Sequence, residues 1–160
     1  MSLNQIANKI NKLIIEYQKG NKKKAINDLQ KIVNSNPEDN IARYNLAIML
    51  SENGKQELSI NHYKKIIENS PNNWKSKFNL YLIFIDKKEF KKALNLIDEV
   101  LKIQENFQPA LRDKALVLVN LKQPDRALNY IIKSLKHNPN DYIALNTLGI
   151  IYLELKKYNE

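Results

Sequence analysis

The sequence predicts an all-α solenoid of stacked helix pairs, and three observations predict it. Pro37, Pro71 and Pro139 fall on a lattice of 34 residues, with Glu105 at the one position between them that lacks a proline. Ala25, Ser59, Ala93 and Ala127 fall on a second lattice of the same period. Within each period the apolar residues recur at three and four rather than at two, the spacing of amphipathic helices. A 34-residue unit cannot bury its apolar face alone, so copies must stack, and the surface of the stack carries the function.

The expected units cover about 6–39, 40–73, 74–107 and 108–141, followed by a terminal helix over 142–158, all in a single domain spanning 1–160. Each unit holds a first helix, A, and a second, B. In the first, Gly20 marks the A-to-B turn, and the B helix stops at Asn36-Pro37 because proline disfavours the helical region in the residue before it. In the second, Leu46, Ala47 and Leu50 mark helix A, Gly54 the turn, Ile60, Tyr63, Ile66 and Ile67 helix B, and Ser70-Pro71 the stop. Leu80, Tyr81 and Phe84 repeat the A set in the third, with Leu94, Ile97, Val100 and Leu101 in its B helix. The fourth has Pro124 in the first turn of B, where an N–H has no helical partner anyway, and stops at Asn138-Pro139. The small residues of the Ala25 column let A and B approach closely.

These residues resemble the tetratricopeptide repeat family. The best single match is Leu145 to Glu160, reading Leu-x-x-Leu-Gly-x-x-Tyr and then Lys157-Tyr158-Asn159-Glu160. The resemblance covers nearly the whole chain and implies a right-handed solenoid of four full repeats plus a final helix. Lys12 and Lys114 depart from it where an apolar core residue is usual, and Glu105 where proline is. Glu160 falls one residue before the next small-residue position, so the chain is read as a fragment of a longer protein or as one whose last helix serves as the cap. Ile151, Tyr152 and Leu155 on that helix suggest self-association through it.

At about 100° per residue, Ile48 lies opposite the buried arc of Leu46, Ala47 and Leu50, flanked by Tyr44 and Asn45. The resemblance implies that this far side of every A helix lines a concave groove. Down the stack it carries Ile14, Ile48, Leu82 and Leu116; beside them run Ile10, Tyr44, Phe78 and Arg112, then Asn45, Asn79 and Asp113, and a further strip begins at Tyr17. The expected role is a peptide groove, its apolar floor taking side chains while asparagines pair with main-chain amides. The strip looks like the asparagine ladder in the repeat region of O-linked N-acetylglucosamine transferase. The same positions also fit packing between neighbouring A helices. Of the carboxylate clamp of some tetratricopeptide cochaperones, only Asn45 and Lys75 match, since Ile10, Ile14 and Asn79 replace its other members.

The leading expectation is a non-catalytic protein-interaction scaffold that binds a peptide segment of a partner protein. The alternatives are a substrate-recruiting module of a larger enzyme such as a glycosyltransferase, or a basic binder of nucleic acid or membrane surface. The net charge of +9 comes almost wholly from lysine spread along the chain, with Arg43, Arg112 and Arg126 the only arginines, which weighs against nucleic acid. His62 and His137 lack a second ligand at metal-binding spacing, and three glycines build no phosphate loop, so neither metal nor cofactor is expected. No stretch approaches the ~20 apolar residues of a membrane span, and the expected location is cytoplasmic.

Overall fold

The computed structural model describes residues 3–156, which form nine α-helices and no strand. The A helices are α1 (Leu3–Gln18), α3 (Asn40–Glu52), α5 (Trp74–Asp86), α7 (Gln108–Asn120) and α9 (Tyr142–Glu154). The B helices are α2 (Lys22–Ser35), α4 (Gln56–Asn69), α6 (Phe90–Ile103) and α8 (Pro124–His137). From α2 onward each helix begins 34 residues after its counterpart, as in 40, 74, 108 and 142.

Local chemistry sets both kinds of junction. Every A helix ends on a left-handed residue of one column: Gly20, Gly54, Lys88, Lys122 and Lys156, with φ of 98°, 73°, 57°, 59° and 56°. At Gly54 the Lys55 N–H reaches back to the Leu50 carbonyl and the Gly54 N–H to that of Ser51, at 2.9 and 3.0 Å, and Glu89 and Lys88 repeat the pattern on Phe84 and Ile85. This double bond pattern satisfies carbonyls that the helix end leaves open. Every B helix ends in a four-residue turn. The Asp39 N–H donates to the Asn36 carbonyl at 3.0 Å, Asn73 to Ser70 at 2.9 Å, Phe107 to Gln104 at 3.1 Å and Asp141 to Asn138 at 3.2 Å. The lattice prolines occupy the second position of this turn, where their fixed φ suits it; Glu105 makes the same turn without that restraint.

The chain divides into two compact units, Met1–Ser76 and Lys77–Glu160. In the first, α1 packs on α2 and α3, and α3 on α4. Its core holds Ile6, Ile10, Leu13 and Tyr17 of α1, Ala25 and Leu29 of α2, and Leu46 and Leu50 of α3. The small column works as expected: Ser59 is fully buried and its hydroxyl donates to the Ala47 carbonyl of the facing A helix at 2.7 Å. In the second unit α7 packs on α6, α8 and α9, around Ala115, Leu118, Ala127, Ile131, Ala144 and Ile151.

The two lysine departures from the family pattern resolve differently. Lys12 is exposed, because α1 turns Ile6, Ile10, Leu13 and Tyr17 inward instead. Ile10 and Tyr17, expected on the groove, are therefore core residues of α1. Lys114 is only 7% exposed. Its ammonium meets Asp98 at 2.6 Å and lies 3.8 Å from the centre of the Tyr130 ring, so its charge is paired while its methylene stem packs inside.

Candidate functional site on the A helices

In the first unit α1 and α3 frame a hollow of about 200 Å3 lined by Ile14, Tyr17, Gln18, Lys22, Asn45, Ile48, Met49 and Glu52. Four of the expected groove residues line it, with Asn45 and Ile48 of α3 meeting Ile14 and Tyr17 of α1. The Tyr17 hydroxyl donates to the Met49 carbonyl at 3.3 Å and accepts from the Asn53 amide, which ties α1 to the end of α3. Burial, reinforced by the neighbouring Glu52 carboxylate, pushes the Tyr17 phenol up to about 12. It stays neutral, and the Lys22 ammonium rests 5.6 Å from its ring centre. The Asn45 amide donates to the Ile41 carbonyl one turn earlier, at 2.9 Å, which fixes the side chain on the helix surface.

Tyr44 is half-buried, its ring edge-on to that of Tyr63 at 6.0 Å. Lys75 is exposed, with its ammonium 5.8 Å from the Trp74 ring centre. Behind α3, His62 is held below the ordinary histidine range by burial and by the nearby Arg43 guanidinium, whose Nη1 lies 3.5 Å from the ring.

The second unit places its expected residues in tighter surroundings. Phe78 stacks on Tyr81 at 5.5 Å and meets Phe107 edge-on at 5.2 Å, so the ring is already part of an aromatic cluster. Asn79 is half-buried and Leu82 exposed. Arg112 donates from Nε to Asp113 at 2.9 Å and from Nη1 to Asp141 at 3.3 Å. Asp141 also accepts from the Gln108 amide at 2.7 Å, while its other oxygen caps α9 through the N–H groups of Ile143 and Ala144. Desolvation works to raise Asp141, but the Gln108 and Ala144 donors and the Arg112 charge hold it below the usual carboxylate range. Burial outweighs Arg112 at Asp113 and lifts that carboxyl instead. Arg112 and Asp113 are thus engaged with each other and with the start of α9.

Family columns did not foretell that engagement, nor the pairing of buried Lys77 with Glu99. For Arg112 and Asp113 the available signal was charge where the other repeats are uncharged; the Lys77 column is also basic at Lys9 and Arg43 and gave none.

Half-buried asparagine and aliphatic groups with exposed Gln18 and Lys22 around a shallow hollow can hold main-chain amides and side chains of another polypeptide. Among the described residues no group of three or more His, Cys, Asp or Glu could hold a metal ion, and no helix is long and apolar enough to cross a membrane. The fold and these surfaces define a helical-repeat interaction scaffold. The family described as Psidin, N-terminal TPR repeats region, matches residues 78–160, and that described as tetratricopeptide repeat matches residues 12–74. The chain belongs to the tetratricopeptide repeat family.

Solved structures agree on the fold. A tetratricopeptide repeat protein from Parabacteroides merdae superposes with a TM-score of 0.88 at 20% identity, over 98% of this chain and 62% of its own. MamA from Desulfovibrio magneticus RS-1, residue 41 to the end, gives 0.86 at 16% identity, over 94% and 85%. YrrB, described as a TPR protein with an unusual peptide-binding site, gives 0.73 at 24% identity, over 81% and 66%. At these identities the likeness establishes the fold alone. No curated protein matches the chain.

Proposed function

We propose that the chain is a non-catalytic scaffold that binds an extended peptide segment of a partner protein on the exposed faces of its A helices, its repeats acting as one domain. The observation that carries the reading is the hollow between α1 and α3, where the apolar Ile14 and Ile48 lie beside Asn45 and Gln18. A site of that size accepts one aliphatic side chain, while the amides pair with main-chain groups. Each such hydrogen bond adds about 0.5–1.5 kcal/mol net, which suits micromolar rather than picomolar binding. The peptide-binding site named for YrrB supports the same class of ligand. In the first unit Lys75 adds an exposed cation and Tyr44 is half-buried; in the second unit Asn79 and Leu82 offer a surface of that unit's own, with Phe78, Arg112 and Asp113 at half-buried or buried positions.

The test is a peptide array probed with the parent chain and with Asn45→Ala and Ile48→Asp variants. Both variants should lose about tenfold in affinity for the parent's best peptides, or about 1.4 kcal/mol, with unchanged helicity. Peptides held equally by all three proteins would remove the reading. Phe78→Ala is a poorer probe, because it also strips a partner from Tyr81 and Phe107.

A second reading rests on α9. Of the residues that suggest self-association in the sequence, Ile151 is fully buried and Leu155 packs against the core of the second unit; Tyr142, Leu145 and Leu153 are the exposed apolar residues instead, and they support self-association through this helix. Sedimentation should show dimer in the parent and monomer in Leu145→Glu/Leu153→Glu; a parent that stays monomeric at high concentration removes it.

A further inference from the structure

A cavity of about 740 Å3 opens elsewhere in the first unit, between the opening turns of α1 and the loop joining α2 to α3. Ile6, Ala7 and Ile10 of α1 and Ile41 of α3 supply its apolar wall. Sequence explains why the space is open. The position of Ile10 is taken by Tyr44 and Phe78 in the next two repeats, and that of Asn40 by Trp74 in the next. Tyr44 and Phe78 each lay a ring against other rings. At the junction of the first and second repeats neither position carries a ring, and the volume remains.

The electrostatics of the cavity run against the rest of the chain. Among the described residues its only charged lining groups are Glu38 and Asp39, in a protein of net charge +9. Arg43, which donates to the Pro37 carbonyl, does not line it. The Asn40 amide in its wall donates to the Ser70 hydroxyl at 3.1 Å and leaves Oδ1 buried without a partner. Turning the amide over would only exchange which end is unmatched. The volume lies within the ~300–1,000 Å3 typical of ligand pockets.

We propose that this cavity is a second binding site, taking a peptide that inserts an aromatic or branched aliphatic side chain and carries lysine or arginine beside it. The apolar wall buries the inserted group and the two carboxylates attract the flanking cations. An acidic or purely apolar peptide satisfies only one of these. The site is distinct from the hollow lined by Asn45 and Ile48 and does not depend on it.

The experiment is an NMR titration of the whole chain with two blocked pentapeptides, each with a central phenylalanine, one flanked by lysines and the other by glutamates. The lysine peptide should shift the amides of Ile6, Ile10 and Ile41 and bind about tenfold more tightly than the glutamate peptide. Ala7→Trp, which fills the cavity from an exposed position, should abolish those shifts. Glu38→Lys on the rim should weaken binding severalfold with an unchanged melting temperature, and Ile48→Asp should leave binding intact. Equal binding of the two peptides, no response to Glu38→Lys, shifts centred on Asn45 and Ile48, or no shifts at about millimolar peptide would each overturn the proposal.

Discussion

The two compact units reach the same helix pairs with different chemistry. In the first, the A helices end on Gly20 and Gly54, which adopt the left-handed turn without a side-chain clash. In the second the same turn is made by Lys88 and Lys122, where a Cβ opposes it. The first unit opens α3 with the Asp39 cap, and Asn73 accepts from the Ser76 N–H at the start of α5. In the second, Phe107 stands at that position before α7 and makes no side-chain cap, while the turn before it has also lost its proline to Glu105. Phe107 instead puts a ring against Phe78. The second unit also pairs buried charge, in Lys114 with Asp98 and in Arg112 with Asp113 and Asp141; of these, Arg112 and Asp113 stand where the other repeats are uncharged. The repeat therefore demands a left-handed residue and a tight turn, not a particular side chain, and tertiary contacts make good what local propensity gives up.

The sharpest way to break this comparison uses two lysines of one lattice column. Lys114→Ala should cost about 2–3 kcal/mol, since it removes a buried stem and a cation from Tyr130 and Asp98. Lys12→Ala should stay within about 0.5 kcal/mol in urea unfolding, as an exposed residue. Equal losses would show that the column, not its surroundings, decides.

Next come the caps. Asp141→Ala should destabilise by about 2 kcal/mol, because it uncaps α9 and strips Arg112 and Gln108 of a shared acceptor. Asp39→Ala removes the cap of α3 and should cost only about 1 kcal/mol. Thermal unfolding resolves the difference as a few degrees in Tm.

The turn residues should give a smaller pair of opposite effects. Lys88→Gly should raise stability by up to about 1 kcal/mol, while Gly54→Lys should lower it by about 1 kcal/mol, although its Cβ would meet nothing within 4 Å. A clash with surrounding groups is thus not the cause; the Cβ opposes the residue's own backbone, and a null result at Gly54 would mean that the turn carries no such strain.

The smallest effect is on pH dependence. His62 in the first unit has a lowered folded value, so protons prefer the unfolded chain. Its contribution is full above the ordinary histidine value of about 6.5 and is lost as pH falls below it. Asp141 in the second unit is also lowered, but its contribution is lost only below the ordinary carboxylate range. Tm measured against pH should therefore fall in two windows. His62→Gln should flatten the upper one and Asp141→Asn the lower; an unchanged upper window in His62→Gln would exclude that histidine as its source.

Much of the fold was legible without coordinates. Helix pairs, their period, the A-to-B turns at Gly20 and Gly54 and the start of α8 at Pro124 all follow from residues close in the chain. The functional surface was less so. Asn45 and Ile48 meet on one hollow, but the columns did not tell that Phe78 is packed between two rings or that Arg112 is occupied by two carboxylates. They also placed Ile10 and Tyr17 on a face that α1 turns inward.

By itself the sequence determined period, helix boundaries and turns, because proline, left-handed residues and apolar spacing act over a single turn or helix. Only the tertiary structure decided which face of α1 is buried, why Lys114 sits inside while Lys12 stays in water, and where a ring's absence leaves a cavity. Those outcomes depend on groups brought from other helices, such as Asp98 and Tyr130 around Lys114. A residue's own column cannot state whether such partners will be there.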